Sequence, residues 1–160
     1  MRHLILVLSL TLIASCGWHL RGVTSLPEGY RIIHLSGYEK TELHSNLIDQ
    51  LEFNGVLVTA SAADAPVLIR ITDYLVEKRT LSVNSLGQVS EYELNGYLTA
   101  KVEKQLDGTT HEISVQARRT LQNDVNNVVA TQQEEQTLRQ DLDSDLRTRL
   151  LRRLQNLDDQ

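Results

Sequence analysis

The 160-residue sequence contains very little cysteine, methionine, proline and large aromatic side chain. It has one Cys, one Met, one Trp, one Phe and two Pro. A single cysteine cannot form an internal disulfide, so stabilisation by disulfides within the domain is excluded. Because large apolar rings are scarce and the leucines are concentrated in two predicted helices, little remains to line an enclosed apolar cavity.

The chain also lacks a basic run, a metal-ligand cluster and the common catalytic motifs. Its net charge is −5, and no stretch supplies the positive charges that nucleic-acid binding requires. The five histidines are scattered, with no pair at helical or hairpin spacing. No G-x-S-x-G elbow, phosphate loop or dinucleotide fingerprint occurs. We therefore expect no nucleic-acid partner, no metal site, no catalytic residue and no cofactor.

The one pronounced apolar run, residues 4–13, is too short to cross a bilayer and follows a positively charged start at residues 1–3. This pattern is typical of a secretory signal. Two small residues then lead directly into Cys16, which resembles a bacterial lipoprotein box. We expect residues 1–15 to be cleaved, Cys16 to carry an S-diacylglycerol and an N-acyl group, and residues 16–29 to form a tether. The alternative is an ordinary signal peptide with an incidental cysteine.

The first part of the domain alternates strand and helix patterns. Residues 30–35 are rich in β-branched and aromatic side chains and predict a strand. Apolar residues between positions 43 and 51 fall on one helical face, and Asn54-Gly55 is a typical helix end. A second extended segment follows at 56–59. This order predicts a βαβ unit whose two strands are parallel.

Three long extended segments follow, joined by turns at residues 84–87 and at Asp107-Gly108. Alternate residues in them are apolar, which predicts an antiparallel meander with one buried and one solvated face. The carboxylates of Glu91 and Glu93 fall on the solvated face, where we expect them to be hydrated. A final long helix is predicted from a capping box at residues 131–134, with leucines recurring along one broad face.

These elements predict a single α+β domain over residues 30–160. We expect a two-layer sandwich in which two helices pack on one face of a four-stranded mixed sheet. The opposite face of the sheet would be uncovered and available to a partner or ligand. The basic pairs Lys78-Arg79 and Arg118-Arg119 are the charged features that stand out, although solvated strand faces alone would explain them.

Four stretches of the sequence carry a family resemblance. They are Cys-Gly-Trp-His-Leu-Arg at 16–21, Leu-Glu-Phe-Asn-Gly-Val at 51–56, Gly-Gln-Val-Ser-Glu-Tyr at 87–92 and Leu-Leu-Arg-Arg-Leu at 150–154. Together they resemble the LptE family, lipopolysaccharide-assembly lipoproteins of the Gram-negative outer membrane. The hexapeptide at the lipidated cysteine is the most specific of the four. The resemblance implies the same fold of two helices on a four-stranded sheet.

The resemblance implies an assembly and transport function without catalysis. A family member is expected to sit as a plug in the lumen of the β-barrel LptD, to assist the folding of that barrel and to deliver lipopolysaccharide with it. Acyl chains on Cys16, palmitate among them, would anchor the protein to outer-membrane lipid. Gly17 stands in place of the aspartate that favours inner-membrane retention. This implies sorting to the outer membrane, with the domain on the periplasmic side and in the barrel lumen.

The resemblance also suggests where lipopolysaccharide would be contacted. The family pattern carries basic residues at the hairpin tip and before the last helix, and this chain has Ser85 and Gln132 near those places. Lys78 and Arg79 lie near that tip, and Arg119 matches a basic position of the fourth strand. These three residues are therefore the candidate contacts for lipopolysaccharide phosphates.

Two other functions stay open at the level of sequence. One is a stand-alone lipid-binding outer-membrane lipoprotein without a barrel partner, which would need an enclosed apolar cavity. The other is a cell-envelope hydrolase, whose acid pair would come together only in the fold. Purification from membranes would separate the three functions, through a stoichiometric barrel, a bound lipid alone or an enzymatic activity.

Overall fold

The computed structural model of the chain describes residues 26–157. Its helices and strands are, in chain order, β1 (Ile32–Ser36), α1 (Glu42–Phe53), β2 (Leu57–Val58), β3 (Val67–Val83), β4 (Val89–Lys104), β5 (Thr110–Gln122) and α2 (Val128–Gln155). Cys16 and the predicted leader lie outside the described residues. Neither helix in this part of the chain is long and apolar enough to span a bilayer.

The sheet has the strand order β2-β1-β3-β4-β5 and is mixed. β1 is parallel to both β2 and β3, whereas β3, β4 and β5 form an antiparallel meander. The α+β class, the parallel start and the meander are therefore confirmed. The prediction of four strands is wrong, because β2 adds a fifth. β2 has two residues and lies within the extended segment predicted at residues 56–59. It pairs with β1 in parallel at the edge of the sheet, as the predicted βαβ unit requires, but the predicted count of four strands leaves it out.

Both helices pack on the same face of the sheet and share one hydrophobic core. Alternate residues of the strands point into this core, as the sequence predicts. The principal buried side chains are Leu43, Leu47 and Leu51 of α1, Val67, Ile69 and Ile71 of β3, Leu94, Leu98, Ala100 and Val102 of β4, Ile113, Val115 and Ala117 of β5, and Leu142, Leu146, Leu150, Leu151 and Leu154 of α2.

α2 packs closely against β4 at Gly96. A Cβ atom at this position would lie 2.1 Å from Cδ2 of Leu142 and 2.9 Å from Cδ1 of Leu146. Both leucines are fully buried. The missing side chain of the glycine thus makes room for two leucines of α2, and the helix can lie directly on the strand.

The start of α2 differs from the prediction. The helix begins at Val128, and its N-cap is Asn127, whose side-chain oxygen accepts a hydrogen bond from the backbone N–H of Ala130 at 3.3 Å. The predicted capping box at Thr131 is therefore wrong. The hydroxyl of Thr131 instead accepts a hydrogen bond from the backbone N–H of Asp124 at 3.2 Å and ties the preceding loop to the first turn.

Between β1 and α1 the chain makes a tight left-handed turn. Gly37 has φ +87° and Tyr38 has φ +58°. This turn directs Tyr38 toward β3, where its hydroxyl oxygen accepts a hydrogen bond from the backbone N–H of Tyr74 at 3.1 Å. A Cβ at position 37 would lie 2.2 Å from the carbonyl oxygen of Ile71, so only glycine fits between the turn and β3.

We predict that Gly37→Ala lowers the free energy of unfolding by about 2 kcal/mol or more, because it combines a left-handed backbone with a backbone clash. The matched control is Gly55→Ala. Gly55 also has a positive φ, of +81°, but no atom lies within 4 Å of its Cβ position. Its replacement should cost only about 1 kcal/mol. Urea unfolding measures both variants, and equal losses would contradict the assigned clash at Ile71.

Candidate functional site

A bulge in β3 decides which face of the sheet each basic residue occupies. The register between β3 and β4 shifts between Ile71 and Asp73. Before this shift the odd-numbered residues of β3 point toward the helices, and after it the even-numbered residues do so. Lys78 consequently lies on the helix-covered face, paired in register with the buried Leu94. Arg79 lies on the uncovered face, which we call the open face.

Lys78 is held by a carboxylate of α2. Its Nζ lies 2.6 Å from Oε2 of Glu135 and 4.1 Å from the centroid of the Tyr92 ring. Glu135 also accepts hydrogen bonds from Arg139, one turn further along α2. The hydrogen bond from Lys78, followed by that from Arg139, lowers the pKa of the Glu135 carboxyl below its usual range. Lys78 therefore ties the β3–β4 hairpin to the first half of α2.

Arg119 makes a similar contact further along the helix. It pairs in register with Leu94, on the helix-covered face, and its Nη1 lies 3.3 Å from Oδ2 of Asp145. Arg149 donates to the same carboxylate through Nε at 2.8 Å and Nη2 at 3.2 Å. The hydrogen bond from Arg149 is the main cause that lowers the pKa of Asp145, and Arg119 adds to it.

The open face contains a buried carboxylate where the sequence predicts a hydrated one. Glu93 is 3% exposed and Asn95 is 6% exposed, although no helix covers this face. The side chains of Arg79 and Arg118 cover them, and both arginine side chains remain more than half exposed. The expectation that Glu93 is hydrated is therefore wrong, because two arginines from the neighbouring strands replace its water.

The hydrogen bonds of this cluster join three strands. Arg79 donates through Nε to Oε1 of Glu93 at 2.7 Å, and Nε of Arg118 lies 3.1 Å from Oε2 of Glu93. Asn95 donates to Oε1 of Glu93 at 2.8 Å and accepts from Nε of Arg118 at 3.2 Å. The hydrogen bond from Asn95, then that from Arg79, lowers the pKa of the Glu93 carboxyl, so this carboxylate stays charged at neutral pH.

Of the three candidate contacts chosen from the sequence, the structure places only Arg79 on the open face. Lys78 and Arg119 lie on the other face and bind carboxylates of α2. Arg118, which was not among the candidates, joins Arg79 on the open face. The alternation of β5 predicts that Arg118 faces away from the core, and its register opposite Asn95 is what brings it to Glu93. That register cannot be read from single strands.

The hairpin tip and the start of α2 lie at the same end of the domain, because Asn123 donates hydrogen bonds to the carbonyl oxygens of Val89 and Ser90. Ser85 and Gln132 are both exposed at this end. Several large apolar side chains are exposed here as well: Val83, Leu86, Val125, Val128 and Val129. This end of the domain thus combines exposed apolar side chains with neutral polar residues at the two positions where the resemblance implies basic ones.

Comparison with known proteins identifies the family of this chain and several solved structures with a similar fold. The family model LptE, described as lipopolysaccharide-assembly, matches residues 30–154. This interval contains every strand of the sheet, the whole of α1 and all but the last residue of α2. The LPS-assembly lipoprotein LptE of Photorhabdus laumondii is 29% identical to this chain, over 96% of the chain and 87% of the relative.

Solved structures of bacterial lipoproteins have the same fold. Lipoprotein B from Nitrosomonas europaea superposes with a TM-score of 0.74 at 23% identity and covers 89% of this chain and 93% of its own. Rare lipoprotein B from Shewanella oneidensis gives a TM-score of 0.69 at 24% identity, over 77% of this chain and 92% of its own. At these identities the likeness concerns the fold alone.

The ion pairs of α2 predict acid-sensitive stability. Glu135 and Asp145 have pKa values below their ordinary 4.5 and 3.8 in the folded protein. The unfolded state therefore binds more protons, and the stability from these pairs is complete above the ordinary values and is lost as pH falls through the lowered ones. We predict that, in the double variant Glu135→Gln/Asp145→Asn, the free energy of unfolding decreases less steeply with falling pH below about pH 4.5 than in the unmodified protein.

Urea unfolding between pH 2.5 and pH 7 would measure this dependence. The matched control is Asp141→Asn, an exposed carboxylate of the same helix. An acid-induced loss of stability in the double variant as steep as in the unmodified protein would contradict the assignment of these pairs.

Proposed function

The chain belongs to the LptE family, and from this membership we propose that it acts in lipopolysaccharide assembly as the lipoprotein partner of the β-barrel LptD. The observation that carries the proposal is the family match over residues 30–154, which contains the sheet and nearly all of both helices. We further propose that the domain sits as a plug in the barrel lumen and assists folding of the barrel. No catalytic step is assigned to it.

The open face suits a position inside a barrel. The lumen of a large outer-membrane barrel is polar and too wide to be filled by its own side chains. The open face presents polar and charged groups, among them the cluster of Arg79, Glu93, Asn95 and Arg118. A face with these charged groups, on a domain whose other face is closed by helices, can contact a polar wall without exposing its core.

We propose that Cys16 is the membrane anchor. A single acyl chain gives only marginal membrane binding, whereas the S-diacylglycerol and N-acyl groups of a mature lipoprotein add several chains, each contributing about 0.8 kcal/mol per buried methylene. The predicted tether over residues 16–29 would join this anchor to the domain. The protein would then be retained at the inner surface of the outer membrane.

Lys78, Arg79 and Arg119 remain our candidates for direct contact with lipopolysaccharide. Among them Arg79 is best placed, because its side chain is 61% exposed and its contact with Glu93 leaves part of the guanidinium facing outward. The side chains of Lys78 and Arg119 are 31% and 30% exposed, and each already binds a carboxylate of α2. A phosphate that bound Lys78 or Arg119 would therefore compete with Glu135 or Asp145 for the same side chain.

For these contacts we predict that the triple variant Lys78→Ala/Arg79→Ala/Arg119→Ala binds lipopolysaccharide about tenfold more weakly, since each charge-assisted hydrogen bond contributes on the order of 1.5 kcal/mol. Arg79→Ala alone should account for most of the loss. Surface plasmon resonance on the detergent-solubilised lipoprotein measures the affinity. An unchanged affinity in the triple variant would exclude all three residues.

The proposed function itself predicts a phenotype in the native host. Depletion of the protein should reduce both surface lipopolysaccharide and the amount of correctly folded LptD barrel. The unmodified gene should restore both. Cys16→Ala should restore neither fully, because the unanchored domain is diluted in the periplasm. Surface labelling of lipopolysaccharide and heat-modifiable migration of the barrel are the measurements. Normal levels of surface lipopolysaccharide and of folded LptD after depletion would contradict the proposed function.

A further inference from the structure

Beside β5, where the open face meets the flank of α2, the structure contains an open cavity of about 260 Å³. It lies away from the hairpin tip, near the middle of β5. The residues that line it are Asn95, Tyr97, Gln116, Ala117, Arg118 and Arg149. Five of these six side chains carry a polar group that can donate a hydrogen bond, and none of them is a carboxylate.

Carboxylates outside the cavity wall hold the two arginines in place. Nε of Arg118 is engaged by Glu93 and Asn95, and Nε and Nη2 of Arg149 are engaged by Asp145. A guanidinium has five N–H donors, so most donors of Arg118 and several of Arg149 have no partner among residues 26–157. Their side chains are 65% and 50% exposed. The ion pairs therefore orient the two guanidinium groups and leave their remaining edges available.

The local charge is opposite to that of the whole chain. Two sets of ion pairs lie near the cavity: Arg79 and Arg118 bind Glu93, and Arg119 and Arg149 bind Asp145. Together these side chains therefore carry an excess of two positive charges within a chain of net charge −5. Such an excess beside a cavity without a carboxylate in its wall favours an anion.

We propose that this cavity binds a phosphate group. Two oriented guanidinium groups can each donate paired hydrogen bonds to phosphate oxygens, and the amide of Gln116 and the hydroxyl of Tyr97 can satisfy further oxygens. The phosphate can be inorganic phosphate or a phosphate of lipopolysaccharide. The second source rests on the proposed function, whereas the chemistry of the cavity does not.

The test uses the full acylated protein in a nonionic detergent, titrated with inorganic phosphate and observed through its backbone amide NMR shifts. Gln116→Glu introduces a carboxylate into the cavity and leaves both arginines and their ion pairs in place. Arg149→Gln removes one guanidinium. Arg152→Gln is the matched control, since it removes the same charge from an exposed position of α2 outside the cavity wall.

We expect saturable shifts at the cavity residues in the unmodified protein and in Arg152→Gln. Phosphate affinity should fall about tenfold in Gln116→Glu and in Arg149→Gln. The absence of saturable shifts, or equal phosphate affinity in all four proteins, would overturn the proposal.

A parallel titration with intact and dephosphorylated lipopolysaccharide separates the two sources. If the cavity serves lipopolysaccharide, affinity falls on dephosphorylation and falls equally in Gln116→Glu with the intact lipid. If the cavity binds inorganic phosphate and the protein does not bind lipopolysaccharide, the cavity is a site for a free anion. This result would count against direct lipopolysaccharide contact in the proposed function. A third outcome is that phosphate causes no shifts and that lipopolysaccharide affinity is unchanged both by dephosphorylation and by Gln116→Glu. This would overturn the proposed phosphate site and leave the proposed function intact.

Discussion

The close contact between α2 and β4 at Gly96 organises the rest of the domain. Leu142 and Leu146 occupy the space above the glycine, so the helix lies directly on the strand. This position brings Glu135 and Asp145 over the sheet, where they meet Lys78 and Arg119. This packing contact therefore covers the β4 part of the sheet and also brings two basic residues of the sheet into contact with carboxylates of α2.

The distribution of charge follows from this arrangement. On the helix-covered face, cations are matched by carboxylates of α2 and contribute to docking of the helix. On the open face, the buried Glu93 is covered by Arg79 and Arg118, which come from the strands on either side. Both arginine side chains stay more than half exposed. The open face therefore presents exposed arginine side chains beside Glu93, and the β3 bulge places Arg79 among them.

The sequence predicts the core of this fold well and its surface less well. Periodicity identifies both helices and the alternation of β5 because many residues contribute to each pattern. It also predicts the extended segment that forms β2, although the predicted four-stranded sheet leaves this strand out. It misses the start of α2, where Asn127 rather than Thr131 is the cap. It also misses the burial of Glu93. That burial depends on a bulge and on strand register, which are properties of pairing between strands and not of any one strand.

In the proposed function, this domain is one half of a complex with an outer-membrane barrel. Native mass spectrometry of the tagged protein, extracted from outer membranes of its own host in mild detergent, tests this most directly. The account predicts one species whose mass is that of one acylated chain plus one large β-barrel, LptD. A spectrum of the acylated chain alone, with or without bound lipid, would contradict it.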